Sequence, residues 1–153
     1  QFLIKEIDGI KIGFFGLGIK LEGLVNKKSY GNTKYLDPIK TSEFWAEELK
    51  IKKKCDLVIC ISHLGHYYKD GKISDISLAR QSRYIDLIIG GHTHTFLNKE
   101  KFKKKKENKD FIVNQAGWGA LALGRIDLKF SNKNKRIDEL SANEILKKNY
   151  AKI

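Results

Sequence analysis

Two pairs of histidines carry the clearest chemical signal in this sequence. All four histidines lie between His63 and His94, in the segments SHLGH and GGHTHT. Each segment follows directly after an apolar run that begins with Asp-Leu, which is DLVICI in the first case and DLII in the second. If these runs are strands, the imidazoles lie just beyond the carboxyl ends of strands, which is where open α/β sheets bind ligands.

The type and spacing of these histidines indicate metal binding. On an extended segment residues two apart point the same way, so His92 and His94 can converge on one centre or on two adjacent centres. The glycines before them allow the backbone to turn sharply and to approach closely. Neutral imidazole is a common ligand for Zn, Fe and Mn. We therefore predict a metal site that contains His63, His92 and His94.

Other interpretations of these residues stay open at this point. His92 and His94 could be hydrogen-bonded structural histidines, although a cluster repeated at two strand ends favours a metal. His66 lies in a polar loop, where a supporting or merely exposed role is more common. Asp75 is better explained as a helix-end residue than as a catalytic carboxylate.

The elements that must position these residues follow an α/β pattern. FLIKEI and IKIGFFGL are joined by the turn dipeptide DG, which predicts a β-hairpin. A helix over about 38–53, capped by Asp37, is predicted from apolar residues on one helical face. DLVICIS and DLIIGG read as apolar strands, and Ser74 or Asp75 can cap a second helix between them. Apolar strands separated by helices indicate an α/β fold whose sheet is buried on both faces.

The last third of the sequence contains three further predicted elements. The lysine-rich segment at about 99–109 is predicted to be an exposed loop. FIVNQAG and LGRIDLKF are predicted strands, and the alternating pattern of the second leaves one face solvated. Ser141 and Glu144 form a capping-box pattern, which predicts a short helical tail at about 141–153.

Composition limits the possible classes of protein. The chain has 153 residues, is 41% hydrophobic and 31% charged, and carries a formal net charge of +12. These values indicate one globular domain, and the dispersed lysines indicate a solvated surface rather than a specific nucleic-acid site. No segment resembles a transmembrane helix. Cys55 and Cys60 are predicted to be separately buried thiols on opposite faces of a strand. Because the chain has no methionine, we expect it to be a piece of a longer protein.

At the histidine segments the sequence resembles a known family. SHLG (Ser62 to Gly65) and GGHTH (Gly90 to His94) are similar to the last two signature blocks of the calcineurin-like metallophosphoesterases, in the 5′-nucleotidase branch that includes bacterial UDP-sugar hydrolases. The similarity covers most of the chain. It implies part of a helix-flanked β-sandwich with a mixed sheet and a two-metal site. By resemblance, His63 and His92 bind one divalent ion (Zn, Mn, Fe or similar) and His94 binds the other.

The resemblance also implies what this sequence lacks. The family has an Asp-x-His block, a Gly-Asp block and an Asn-His block, and no histidine here has aspartate two residues before it or asparagine directly before it. We therefore expect residues 1–153 to be the carboxyl-terminal half of a metallophosphatase domain. We expect it to be inactive without the missing amino-terminal half and to have no catalytic residue or cofactor-binding residue beyond the metal ligands. The implied substrate is a phosphate ester such as a nucleotide.

Two alternative functions belong to different classes. One is a non-catalytic metal-binding or interaction module that retained the phosphatase fold and engages polyanions through Lys103 to Lys106. The other is a different His-x-His metal enzyme such as an amidohydrolase, which would need further ligands including a strand-end aspartate. The nucleotidase branch is often exported, so resemblance implies a periplasmic or exported protein.

Overall fold

The core of the protein is a six-stranded mixed sheet. The computed structural model describes residues 1–97, 101–103, 110–131, 135 and 137–146. The strands follow the order β1-β2-β3-β4-β6-β5. Their bounds are Phe2–Ile7 (β1), Ile10–Leu17 (β2), Leu57–Ser62 (β3), Leu87–Ile89 (β4), Lys101–Lys103 (β5) and Asp110–Asn114 (β6). Strands β2, β3, β4 and β6 are parallel, whereas β1 and β5 pair antiparallel at the two edges. The predicted α/β fold with a mixed sheet is confirmed.

The first two strands form the predicted hairpin. Asp8 and Gly9 connect them with φ angles of 49° and 75°. Both angles lie in the left-handed region that a two-residue hairpin turn requires, and Asp-Gly is a favoured dipeptide for that turn. The hairpin places β2 beside β3 and leaves β1 as an edge strand.

The two helices predicted from the sequence form as expected. Helix α2 covers Pro38–Glu47 and continues as a π-helical turn over Glu48–Lys52, while the Asp37 side chain accepts a hydrogen bond from the Lys40 amide at its start. Helix α3 covers Asp75–Gln81, after a cap described below. A short helix, α1, covers Lys27–Tyr30. Within the part of the chain that the structure describes, none of the helices has the length and apolar character needed to cross a bilayer.

Helix α3 begins with a reciprocal cap. The Ser74 hydroxyl accepts a hydrogen bond from the Ser77 amide at 3.2 Å, and the Ser74 amide donates to the Ser77 hydroxyl at 2.8 Å. Ser74 is therefore the cap, and Asp75 is the first residue of the helix. The Asp75 carboxylate is left available for other contacts.

The sheet is buried on both faces, as its continuous apolar strands predict. On one face Val58, Cys60 and Ile88 pack with Leu49 and with Leu78 of α3. On the other face a two-stranded antiparallel sheet covers the core. Its strands are β7 (Ala122–Phe130) and β8 (Ile137–Leu146), and it packs Ile126, Leu128 and Phe130 onto Leu57, Ile59, Leu87 and Ile112. The result is a helix layer, a sheet and a second small sheet.

Two predictions for the last third of the chain were wrong. Residues 141–146 are not helical, because β8 pairs with β7 from Ala122 opposite Leu146 to Phe130 opposite Ile137. This pairing with the preceding strand outweighs the local capping-box preference. Lys101–Lys103 form strand β5 rather than a loop, and lysines are common on edge strands. The remainder of these two predicted segments, at 99–100, 104–109 and 147–153, lies outside the described residues.

The two cysteines are buried and free, as predicted. They do not occupy opposite faces, because Cys55 precedes the first residue of β3 and packs into the same core cluster as Cys60. Burial raises the pKa of both thiols, and the effect is large for Cys60. Both side chains therefore act as small apolar groups of the core.

Candidate metal site

The candidate site lies at one edge of the sheet, where the four parallel strands end. The register pairs Leu17 with Ser62 and Ile61 with Ile89, and it pairs Ile89 with Asn114. The carboxyl ends of β2, β3, β4 and β6 are therefore neighbours. Both histidine segments leave the sheet at this edge, as the sequence predicts.

His63 and His92 come together at this edge. Their ring centroids are 5.2 Å apart, with an angle of 66° between the ring planes. The His63 amide donates to the Leu17 carbonyl at 2.8 Å, which extends the β2–β3 ladder to the residue that carries the imidazole. His63 is exposed and His92 is half-buried, so both rings are accessible from solvent.

The segment that carries His92 and His94 is not extended. His92 has a φ of 82° and His94 has a φ of 53°. Left-handed backbone is uncommon for residues other than glycine, and it recurs where a site needs a particular side-chain direction. His94 stacks on Trp118, with ring centroids 5.9 Å apart and planes 17° apart. The two imidazoles thus have different neighbours, and the predicted alignment along an extended segment was wrong.

The two glycines before His92 are needed because the loops are in close contact. A Cβ on Gly91 would lie 3.0 Å from Nδ1 of His63. A Cβ on Gly90 would lie 2.1 Å from Oδ2 of Asp75, which is closer than real contacts allow. The glycines therefore permit the close approach that the sequence predicts.

The electrostatics of the site favour neutral imidazole at His92. Burial lowers the pKa of His92, and the neighbouring His63 and His94 lower it further. A metal ligand must be neutral imidazole, so this environment suits ligation. Imidazole nitrogen is a donor that divalent transition ions accept in proteins.

The pair is only part of a ligand set. Across the described residues, no three side chains among His, Cys, Asp and Glu are grouped so that they could hold a metal ion. Protein zinc sites use three or four protein ligands. His63 and His92 would need ligands from outside the described part of the chain to complete such a site.

His66 approaches the His92 loop through its backbone. Its amide donates to Oγ1 of Thr93 at 2.9 Å, and its carbonyl accepts from the Ile76 amide at 3.2 Å. These bonds tie the segment after His63 to the segment after His92. Because both are backbone bonds, which any residue at this position could make, the supporting or merely exposed role of the His66 side chain stays a prediction.

Three buried polar residues behind the histidines were not recognised as part of the site from the sequence. They are Ser62, Asp75 and Gln115, with exposed fractions of 5%, 0% and 2%. Gln115 directly follows β6, the same position relative to its strand that His63 has after β3. This position directly after a strand was the feature of the sequence that could have identified Gln115 as part of the site. Asp75 is at a helix end, as predicted, but its carboxylate faces Ser62 and Gln115.

Apolar surface adjoins the site on the face that packs against β7. Ile61 and Ile89 are 47% and 38% exposed. Each lies two residues further along its strand than the buried Ile59 and Leu87, and therefore on the same face of the sheet. The small sheet covers the inner part of this face and leaves the part nearest the histidines open. These two exposed isoleucines therefore leave apolar surface next to the histidines.

A cavity of about 520 Å³ opens beside His92. Its walls are mainly apolar and aromatic and also contain charged groups. They include Ile19, Leu24, Tyr35, Leu64, Tyr68 and Ile73, together with Lys20, Glu22 and Lys72. The volume is in the range of small-molecule sites.

Comparisons with known proteins point to one family. The profile of the calcineurin-like phosphoesterases matches residues 3–96. The chain is 32% identical over 133 residues to the trifunctional nucleotide phosphoesterase protein YfkN of Bacillus subtilis, covering 86% of this chain and 8% of that protein. It is 32% identical over 149 residues to a 5′-nucleotidase of Vibrio cholerae, covering 84% of this chain and 27% of that protein. The chain thus spans about a quarter or less of these relatives.

The fold agrees with a solved structure of the same family. The crystal structure of the calcineurin-like phosphoesterase YfkN from Bacillus subtilis matches with a TM-score of 0.73 at 19% identity. The match covers 95% of this chain and 50% of that one. At this identity the comparison concerns the fold.

Proposed function

We propose, from the premise that this chain belongs to the calcineurin-like phosphoesterase family, that it supplies one side of a divalent-metal centre that hydrolyses phosphate esters. The resemblance predicted from the SHLG and GGHTH segments is confirmed by the family match and by the similarity to a 5′-nucleotidase. The observation that carries the proposal is the approach of His63 and His92, whose ring centroids are 5.2 Å apart at the carboxyl edge of the sheet.

The proposed ligands follow from the surroundings of each histidine. His63 and His92 lie side by side and would share one ion, whereas His94 lies against Trp118 and would bind a second ion. A pair of divalent ions polarises a phosphoryl oxygen and activates water for attack on phosphorus. The identity of the ions, among Zn, Mn and Fe, stays open.

The proposal assigns the other ligands to a segment beyond these residues. Three imidazoles are too few for a centre of two ions, and Ile61 and Ile89 leave apolar surface exposed beside them. The relatives are several times longer than this chain. We propose that an amino-terminal half of the domain covers this surface and completes the ligand set, and that the chain alone is inactive.

The proposed substrates are nucleotides or related phosphate esters. The names of the relatives, a nucleotide phosphoesterase and a 5′-nucleotidase, support this class. The cavity beside His92 supports it also, because Tyr35 and Tyr68 offer aromatic surface next to the proposed ion. A periplasmic or exported location stays a prediction.

Metal binding and turnover test the proposal separately. Calorimetry with Zn²⁺ or Mn²⁺ is expected to show weak binding to the chain and at least tenfold weaker binding to His92→Ala. His66→Ala is the matched control and is expected to bind as the unchanged chain does. Equal affinity in the His92 variant would remove His92 from the site.

Activity needs the missing half. The chain joined to an amino-terminal half is expected to release phosphate from a nucleoside 5′-monophosphate, and a chelator is expected to abolish this release. Metal binding without any turnover in that assembly would favour the alternative of a non-catalytic metal-binding module. Robust turnover by the chain alone would contradict the proposed division of the site.

A further inference from the structure

Asp75 is a buried carboxylate that the helix cap does not use. Its side chain is fully buried, and Ser74 rather than Asp75 caps α3. Burial raises the pKa of Asp75, and hydrogen bonds from Ser62 and Gln115 act in the opposite direction. A carboxylate in the interior is unfavourable unless its oxygens are satisfied. Here both oxygens accept hydrogen bonds from side chains of the site edge.

One of these contacts holds the backbone on both sides of His63. The Ser62 hydroxyl donates to Oδ1 of Asp75, and it accepts from the Leu64 amide at 3.1 Å. Ser62 and Leu64 are the two neighbours of His63 in the chain. The direction of the His63 side chain therefore depends on a hydroxyl that Asp75 orients.

The other contact holds the backbone around His92 and His94. Nε2 of Gln115 donates to Oδ2 of Asp75 at 3.1 Å and to the Gly91 carbonyl at 2.8 Å. Oε1 of Gln115 accepts from Oγ1 of Thr93 and from the Thr95 amide, each at 3.2 Å. Gly91, Thr93 and Thr95 alternate with the two histidines along the chain.

The amide of Gln115 has no freedom to rotate. A glutamine amide has two N–H donors and one carbonyl oxygen with two acceptor positions, and all four are used here. Asp75 and the Gly91 carbonyl fix its orientation together, because both can accept only from the NH₂ side. The other edge of the amide must then face Thr93 and Thr95.

We infer that Asp75 is a positioning residue that holds His63 and His92 at one spacing, acting through Ser62 on the first loop and through Gln115 on the second. The inference rests on the proposed function, since the spacing matters for a shared metal ion. Asp75 does not approach the ion in this account. It sets the places of the two loops that carry the imidazoles.

The change Asp75→Asn tests this with little change of shape. An asparagine has only one oxygen, so its NH₂ group must face either the Ser62 hydroxyl or the NH₂ group of Gln115. If it faces Ser62, the Ser62 hydroxyl loses the acceptor for its proton. If it faces Gln115, the Gln115 amide must turn or lose a bond. If it turns, it presents a donor to the Thr95 amide and withdraws a donor from the Gly91 carbonyl. Ser62→Ala is a milder second variant that frees only the His63 side, and it keeps the test available if Asp75→Asn folds poorly.

Asp86 supplies a matched control. It is also a buried carboxylate, 4% exposed, and it accepts from the Val58 amide at 2.9 Å and from Nζ of Lys50 at 3.0 Å. It lies just before β4, at the end of that strand opposite to the histidines. Asp86→Asn therefore perturbs a buried carboxylate of the same sheet without touching the loops of the site.

The first measurement needs no metal. In the unchanged chain, proton NMR is expected to show a nuclear Overhauser effect between the rings of His63 and His92, whose centroids are 5.2 Å apart. Asp75→Asn is expected to lose this signal and Ser62→Ala to weaken it, while Asp86→Asn keeps it even if its melting temperature falls. A retained signal in folded Asp75→Asn, or an equal loss in Asp86→Asn, would overturn the inference.

The second measurement uses Co²⁺ as the probe ion. Loss of a residue that orients metal ligands typically weakens affinity by about 10–100-fold. The affinity for Co²⁺ is measured from the paramagnetic shifts of the imidazole protons during a titration. It is expected to fall at least tenfold in Asp75→Asn and to stay unchanged in Asp86→Asn. If the unchanged chain gives the ring-to-ring signal but no Co²⁺ shifts, the proposed metal site fails, and the metal-free comparison still decides the positioning role.

Discussion

Gly90→Ala places one methyl group against the buried Asp75 carboxylate. The added Cβ would lie 2.1 Å from Oδ2 of Asp75, 3.0 Å from its Cγ and 3.1 Å from Cγ of Gln115. Real Cβ atoms almost never come within 3.0 Å of such neighbours. The backbone of Gly90 has no left-handed φ, so the effect of the substitution comes from this contact.

The contact is expected to lower the free energy of unfolding substantially. Asp75 cannot move away without breaking its bonds to Ser62 and Gln115. Overpacking of a core by one methyl group typically destabilises by about 1–3 kcal/mol. We expect the upper part of that range, roughly 2–3 kcal/mol, because the obstacle is a fixed polar group with no adjoining space.

Urea denaturation of matched variants measures this effect. With a urea dependence of about 1–3 kcal/mol per molar, a loss of roughly 2–3 kcal/mol is expected to lower the midpoint by roughly 0.7–3 M. Gly18→Ala is the control, since it lies just after β2 at the same edge, with no atom within 4 Å of an added Cβ. Its effect is expected to stay within about 0.5 kcal/mol.

A double variant identifies the source of the effect. In an Asp75→Ala background the obstructing carboxylate is gone, so Gly90→Ala is expected to destabilise by less than about 1 kcal/mol. Groups in contact show such non-additive changes, and independent sites do not. Equal stability of Gly90→Ala and Gly18→Ala, or full additivity with Asp75→Ala, would refute the reasoning.

Three further predictions concern other parts of the molecule. Gly91→Ala is expected to weaken Zn²⁺ binding about tenfold in calorimetry, with little loss of stability, because its Cβ would press on Nδ1 of the exposed His63; unchanged affinity would count against it. Cys60 is expected to resist iodoacetamide at pH 8 until the chain is unfolded in guanidinium chloride, because burial raises the pKa of its thiol and leaves little thiolate; rapid alkylation of the folded chain, located by mass spectrometry, would contradict this. DNA binding through the lysine-rich segment at 99–109 is expected to be weak and to vanish as salt rises in fluorescence titrations, whereas sequence-dependent binding at physiological ionic strength would show a specific site.

The elements that the sequence predicts correctly are those with strong local signals. The Asp8-Gly9 turn, the Asp37 cap and the Ser74 cap each act within a few residues, and each forms as expected. Strand β8 was mistaken for a helix because its conformation depends on pairing with β7, which no local pattern reports. Strand β5 was missed for the same reason, since its register with β6 supplies its backbone bonds.

Only part of the candidate site was likewise predictable from the sequence. The approach of His63 to His92 was predictable, since two apolar strands that each end in histidine become neighbours in a parallel sheet. The contact between Asp75 and Gln115 was not predictable, because these residues are 40 positions apart and the position of each already has a local explanation. A helix end accounts for Asp75 and a strand end for Gln115. Their shared hydrogen bond appears only when β6 lies beside β4.

His92 and His94 point in different directions, which the same His-x-His spacing on an extended strand would not produce. Alternate residues of a strand point the same way, which would aim His92 and His94 at one centre. Left-handed backbone at both residues instead sends His92 toward His63 and His94 toward Trp118. Gln115 holds the residues between and after them, so this divergence is built into the loop. Two imidazoles with separate neighbours suit two adjacent ions better than one, which agrees with the proposal that His94 binds a second metal.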